Sequence, residues 1–108
     1  MQAVMYAQVV PISSITQNNA NGVPLDTGMF KTVTGIVTVA NQFGGPSYIQ
    51  DNTGGLAIFY TDFSTNISIG DSVIVTAKLT QFNGLTELSY STVGGTPSYT
   101  VVSSGHSY

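Results

Sequence analysis

The sequence predicts an all-β fold, a five-stranded barrel built as one domain spanning 1–108. Three observations carry this. Hydrophobicity alternates with a period of two rather than 3.6, the alternating segments are short and bounded by Gly, Asn and Asp, and a glycine interrupts the first of them on its inward face. At 108 residues and 42% hydrophobic content, the chain suits one compact unit with its own core.

The first strand is TVTGIVTV (32–39). It places Val33, Val37 and Val39 on one face and Thr32, Thr34 and Thr38 on the other, the alternation of a half-buried strand. Gly35 falls on the inward face, where a glycine marks a bulge or a sharp bend at a barrel corner. SYIQ (47–50) and LAIFY (56–60) read as the second and third strands, joined by the turn-forming DNTGG (51–55). SVIVTAKLTQ (72–81) is the fourth, with Val73, Val75, Ala77 and Leu79 inward. A tight turn at FNG (82–84) then leads into LTELSYST (85–92) as the fifth.

The segment 61–70 holds either a short helix or an irregular crossover. Ile12 and Ile15 stand at helical spacing, but the Asn/Gly cluster from Asn18 to Gly22 ends any helix early. SYTVV (98–102) reads as a sixth, edge-type strand, with His106 and Tyr108 in a loose tail. Five short strands, one gap before the fourth, and an inward glycine in the first describe a small barrel rather than a sandwich. The OB-type Greek-key barrel is the five-stranded architecture of this size, here with additional N- and C-terminal extended segments.

The stretch from VTGIVTVANQFGGPSYIQDNTGGLAIF to SIGDSVIVTAKLTQFNGLTEL (33–88) resembles OB-fold modules of secreted bacterial multidomain proteins. Such modules accompany extracellular nucleases and occur in surface and exported proteins of Bacteroidetes. TGIVTV, YIQDNTGG and the IGDSV…FNGLTEL pair carry the resemblance. It implies a fold and a secreted or cell-surface bacterial setting, with neighbouring domains of a parent protein as partners. It implies no catalytic residues, since these modules share none.

Composition narrows the function. The chain has two lysines, no arginine, five acids and a net charge of −3, while Ser, Thr and Asn together supply 33 residues. A duplex-DNA binder needs Lys and Arg to displace counterions from phosphate, and a polybasic membrane-surface patch needs them too. No apolar run approaches the roughly 20 residues of a membrane span. Without cysteine there is neither a disulfide framework nor a thiolate metal site. MQAVMYAQVV (1–10) is apolar but lacks the positive n-region of a secretory leader, so it reads as a first extended segment. It is uncharged and strand-like, able to add to a sheet edge of its own barrel or of another copy.

Catalysis is not expected. The single histidine, His106, lies two residues from the end of the sequence, far from the rigid setting a Ser-His-Asp triad needs. Among Asp26, Asp51, Asp62, Asp71 and Glu87, both Asp51 and Asp71 sit in turns that favour Asp for backbone hydrogen bonding alone. Glu87 is expected to point at a barrel mouth. DNTGG lacks the alternating acids of a calcium loop, and no metal or cofactor is expected.

Binding is the live function. OB-type barrels take oligonucleotides or oligosaccharides on the outer face of strands 2 and 3, between the loops after strands 1 and 4. With Ile49 and Ile58 inward, Tyr48, Gln50, Ala57 and Phe59 face out. Tyr48 and Phe59 would form a stacking platform with Gln50 as a polar reader. Asn41 and Phe43 come from the first loop, Phe82 and Asn83 from the turn after strand 4. Single-stranded nucleic acid normally adds a positive groove along the backbone. With Lys31 and Lys78 the only cations, a neutral oligosaccharide fits better. The alternatives are a single-strand nucleic-acid accessory of a nuclease and a self-assembling subunit that uses its N-terminal strand. LAIFY is apolar at both parities, so Phe59 or Tyr60 could instead be covered, as in a sheet buried on both faces.

Overall fold

A computed structural model describes residues 8–42 and 44–107 and shows the closed five-stranded barrel, with one extra strand. The strands are β1 (Phe30–Val39), β2 (Ser47–Asp51), β3 (Gly54–Phe59), β4 (Ser72–Phe82), β5 (Leu85–Ser89) and β6 (Ser98–Ser103). The sheet runs β1-β2-β3-β5-β4-β6, and a further β1–β4 pairing closes the barrel. All pairings are antiparallel except β3 with β5.

Closure depends on β1 changing partner along its length. Phe30 to Ile36 pair with β4, and Ile36 to Val39 pair with β2. Gly35 stands at the changeover. A Cβ there would lie 2.7 Å from the Gln50 carbonyl oxygen, so only glycine lets β2 approach this closely. A register shift between Val37 and Val39 follows. It corrects the simple alternation expected for this strand: Val33 and Val37 are buried, whereas Val39 is only half-buried. Thr32, expected to face out, is also buried, its Oγ1 bonded to that of Thr76 at 2.7 Å. In β4 the alternation holds throughout, with Val73, Val75, Ala77 and Leu79 fully buried.

Two short helices close opposite ends of the barrel. Helix α1 (Ile12–Ile15) buries both isoleucines in the core. It is tied to the β2–β3 hairpin, where the Ile12 amide donates to Asp51 Oδ2 (2.9 Å) and the Ser13 amide to Thr53 Oγ1 (3.0 Å). Helix α2 (Thr61–Thr65) occupies the crossover between β3 and β4 and inserts Phe63, fully buried. At that end Ser47, also fully buried, bonds the Ala40 carbonyl (2.7 Å) and Ser64 Oγ (2.6 Å), so its hydroxyl is satisfied.

Of the N-terminal segment, residues 1–7 lie outside the described residues. Val9 bridges Thr32 of β1 in parallel, and the Val10 amide donates to the Thr32 carbonyl (3.0 Å). The tail is not wholly loose. The His106 amide donates to the Gly70 carbonyl at 2.8 Å and His106 Nε2 bonds Ser103 Oγ at 2.6 Å. Tyr108 lies outside the described residues. No helix among the described residues is long and apolar enough to cross a membrane.

Candidate functional site

Strand pairing fixes which side chains share the outer wall. One row runs Tyr48, Ala57, Glu87, Thr80 across β2, β3, β5 and β4. The next runs Phe59, Ser89, Lys78, and on the other side Leu85 pairs with Phe82. Core residues Ile49, Ile58, Leu88 and Leu79 take the opposite parity and fill the barrel. Phe59 is therefore forced outward, and it is 55% exposed; Phe82 is 67% exposed and Leu85 40%. Large apolar side chains clustered on an outer wall are the informative kind of exposure.

Phe59, Phe82, Leu85 and Pro46 rim a hollow of about 240 Å³ with Glu87 in its lining. Glu87 does not point at the barrel mouth. It sits in the middle of the outer wall and is only 7% exposed. Burial pushes its carboxyl above the ordinary glutamate value, while a hydrogen bond from Ser89 Oγ (3.5 Å) opposes that shift. Ser89 Oγ also bonds Thr80 Oγ1, extending a polar chain beneath the aromatic rim.

Tyr48 and Gln50 line a neighbouring hollow together with Ala57, Leu85 and Thr86. Leu85 is common to both, so the expected single groove is two adjoining depressions, with Tyr48 and Gln50 in one and Phe59 and Phe82 in the other. Ala57 is 3% exposed rather than outward-facing in any useful sense, because its methyl lies in the row between Tyr48 and Glu87. Asn41 contributes to a third hollow of about 210 Å³ that Phe59 and Pro46 also line. Asn83 forms the tip of the β4–β5 hairpin with φ of 51°, followed by Gly84 at 82°. This is the Asn-Gly pair that such two-residue turns require, and Asn83 does not line the hollow beside Phe82. Phe43 lies outside the described residues.

Sequence placed neither Tyr60 nor Asp62 in a binding surface, and Tyr90 was not singled out. With Phe59 and Thr61 they line a hollow of about 430 Å³. Tyr60 is half-buried beneath Tyr90 and Tyr99, which accounts for the double-parity run in LAIFY. Burial, then the nearby Asp62 and Tyr90, raise the Tyr60 phenol above its usual range. Tyr99 donates to Asp62 Oδ2 at 2.7 Å, and that bond, ahead of burial, raises its phenol as well.

The remaining charged groups are occupied with structure. Asp51 is partly desolvated, which opposes ionisation. Its bonds from the Ile12, Thr53 and Gly54 amides and the Thr53 hydroxyl nevertheless hold it below the ordinary aspartate value. Asp71 Oδ2 accepts the Ser68 amide (2.9 Å). Lys31 pairs with Asp26 at 2.9 Å, and Lys78 Nζ donates to the Val93 carbonyl at 3.2 Å. Among the described residues no three His, Asp or Glu side chains gather as a metal site would need. No family model, curated protein or solved structure matches the chain.

Proposed function

We propose that the chain is a non-catalytic binding module of a secreted or cell-surface bacterial protein, taking a neutral glycan on the outer wall of β3, β5 and β4. The observation that carries it is the exposure of Phe59 and Phe82 around the hollow over Glu87. Aromatic rings in such a setting offer a flat apolar surface to the C–H face of a sugar ring, and the Glu87 carboxyl is the polar side chain of the lining that meets its O–H groups. Charge favours this over a nucleic acid. Both lysines are engaged in bonds of their own, and a carboxyl lies in the hollow where a phosphate chain would need cations. The resemblance of 33–88 to modules of exported bacterial proteins supports the setting.

Calorimetric titration with neutral xylo-, cello-, chito- and α-gluco-oligosaccharides, and with a 12-mer of oligo-dT, tests this. Binding to at least one neutral series is expected, with Phe59→Ala weakening it by roughly tenfold or more, about 1.4 kcal/mol. Binding to oligo-dT alone would replace the proposal with a nuclease-accessory function. Failure of every titrant, together with a mass that rises with concentration in light scattering, would make the wall a contact between copies.

A further inference from the structure

We propose that the occupant is an uncharged oligosaccharide long enough to cross Phe59, with Tyr90 as its second stacking platform and Asp62 as the acceptor of its hydroxyls. This rests on the glycan function proposed above and adds a length requirement and two residues to it.

Volume is the first argument. The hollow beside Phe82 and Leu85 holds about 240 Å³, below the roughly 300–1,000 Å³ of pockets that retain a small molecule by themselves. Phe59 is also a wall of the 430 Å³ hollow beside Tyr90 and Asp62. A ligand lying across Phe59 uses both, and the Phe59 ring becomes the saddle between them. The backbone keeps the two platforms adjacent, since the Tyr90 amide donates to the Phe59 carbonyl at 2.9 Å.

Rigidity is the second. Tyr90 is 56% exposed, yet its ring is held edge-on to Tyr60 with centroids 5.2 Å apart. Tyr60 stands edge-on to Tyr99 at 5.4 Å, and Tyr99 to Phe63 at 5.2 Å. Phe63 is fully buried, so a train of four rings anchors the exposed one in the core. A platform ordered before binding loses little freedom when a ligand arrives.

Charge is the third. Each of the two hollows contains one carboxyl, Glu87 or Asp62, and no lysine. Asp62 Oδ2 already accepts the Tyr99 hydroxyl at 2.7 Å, which fixes its direction. A carboxylate has about four acceptor sites, so it can take further donors. Acceptors beside exposed rings suit a polyol, whose hydroxyls donate while its ring face stacks. They repel an acidic polysaccharide.

The test uses the full chain and the same four neutral series at one to six sugar units, with hyaluronan oligomers as the acidic comparison. Affinity for the binding series should rise roughly tenfold or more between two and four units. Tyr90→Ala should erase that rise, and Tyr90→Phe should retain it. Asp62→Asn should weaken binding of the longer sugars. Affinity independent of length, or unaffected by Tyr90→Ala while Phe59→Ala abolishes it, overturns this inference and leaves the glycan function standing. Preference for hyaluronan overturns the charge argument and the inference with it. Binding of no sugar of any length overturns the glycan function itself.

Discussion

Gly35 shows how one residue governs closure. Its inward position was legible from period-two alternation, but its neighbour was not. A methyl group there would meet the Gln50 carbonyl at 2.7 Å, and that contact is backbone, which cannot rotate away. Gly35→Ala should destabilise the fold by about 1–3 kcal/mol, the usual cost of overpacking; urea unfolding against the parent protein measures it. Glu87 makes the opposite point, since a buried carboxyl on an outer wall costs stability. Its value is raised in the folded state, so the folded protein holds that proton more tightly than the unfolded chain. The penalty is therefore full above the raised value and fades as pH falls through it. Glu87→Gln should stabilise the fold at neutral pH and lose that advantage toward about pH 4. A difference that stays constant with pH would show that desolvation of this carboxyl is not its source.

At the scale of elements, the short helices matter more than their length suggests. The five residues of α2 read from sequence only as a helix or an irregular crossover, because a single turn has no periodicity to detect. Phe63 is what makes it a structural plug: fully buried, packed against Tyr60 and Tyr99, and closing the barrel end where Ser47 meets Ser64. Phe63→Ala should cost about 3–5 kcal/mol in denaturant unfolding. The same variant removes the anchor beneath Tyr90, so any barrel that still folds should show a smaller gain in affinity from two to four sugar units. The α1 helix was limited correctly by its Asn/Gly cluster. Its docking onto Asp51 joins positions 39 residues apart, beyond the reach of local sequence grammar. The register shift after Val37 falls two residues beyond the bend that Gly35 marked, and it turned Val39 partly away from the core.

For the whole molecule, charge is what favours a neutral partner in the proposed function. Two lysines against five acids leave a net charge of −3, and structure then ties each lysine to an oxygen of the chain itself. Binding on the outer wall should consequently change less than about twofold between 50 and 500 mM salt, as calorimetry would show. A protein that neutralised several phosphates would lose orders of magnitude over that range.

Much of the architecture was written locally. Alternation placed Val73, Val75, Ala77 and Leu79 inward, turn residues placed the hairpins at Asn52 and Asn83, and the gap before β4 marked the crossover that α2 fills. These features depend on neighbours one or two positions away, which a linear sequence displays directly. The outer wall depends instead on strands brought together from distant parts of the chain. Tyr48 and Phe59 are both outward by parity, yet pairing of β3 with β5 sets Glu87 and Leu85 beside them and divides their surface into separate hollows. Tyr90 enters because its amide continues the pairing of β5 alongside Phe59, and its ring rests on Tyr60, which Tyr99 of β6 backs. Parity and composition determined the barrel and its charge-poor, cation-poor character. Long-range register, which no local pattern encodes, decided which exposed rings share a hollow.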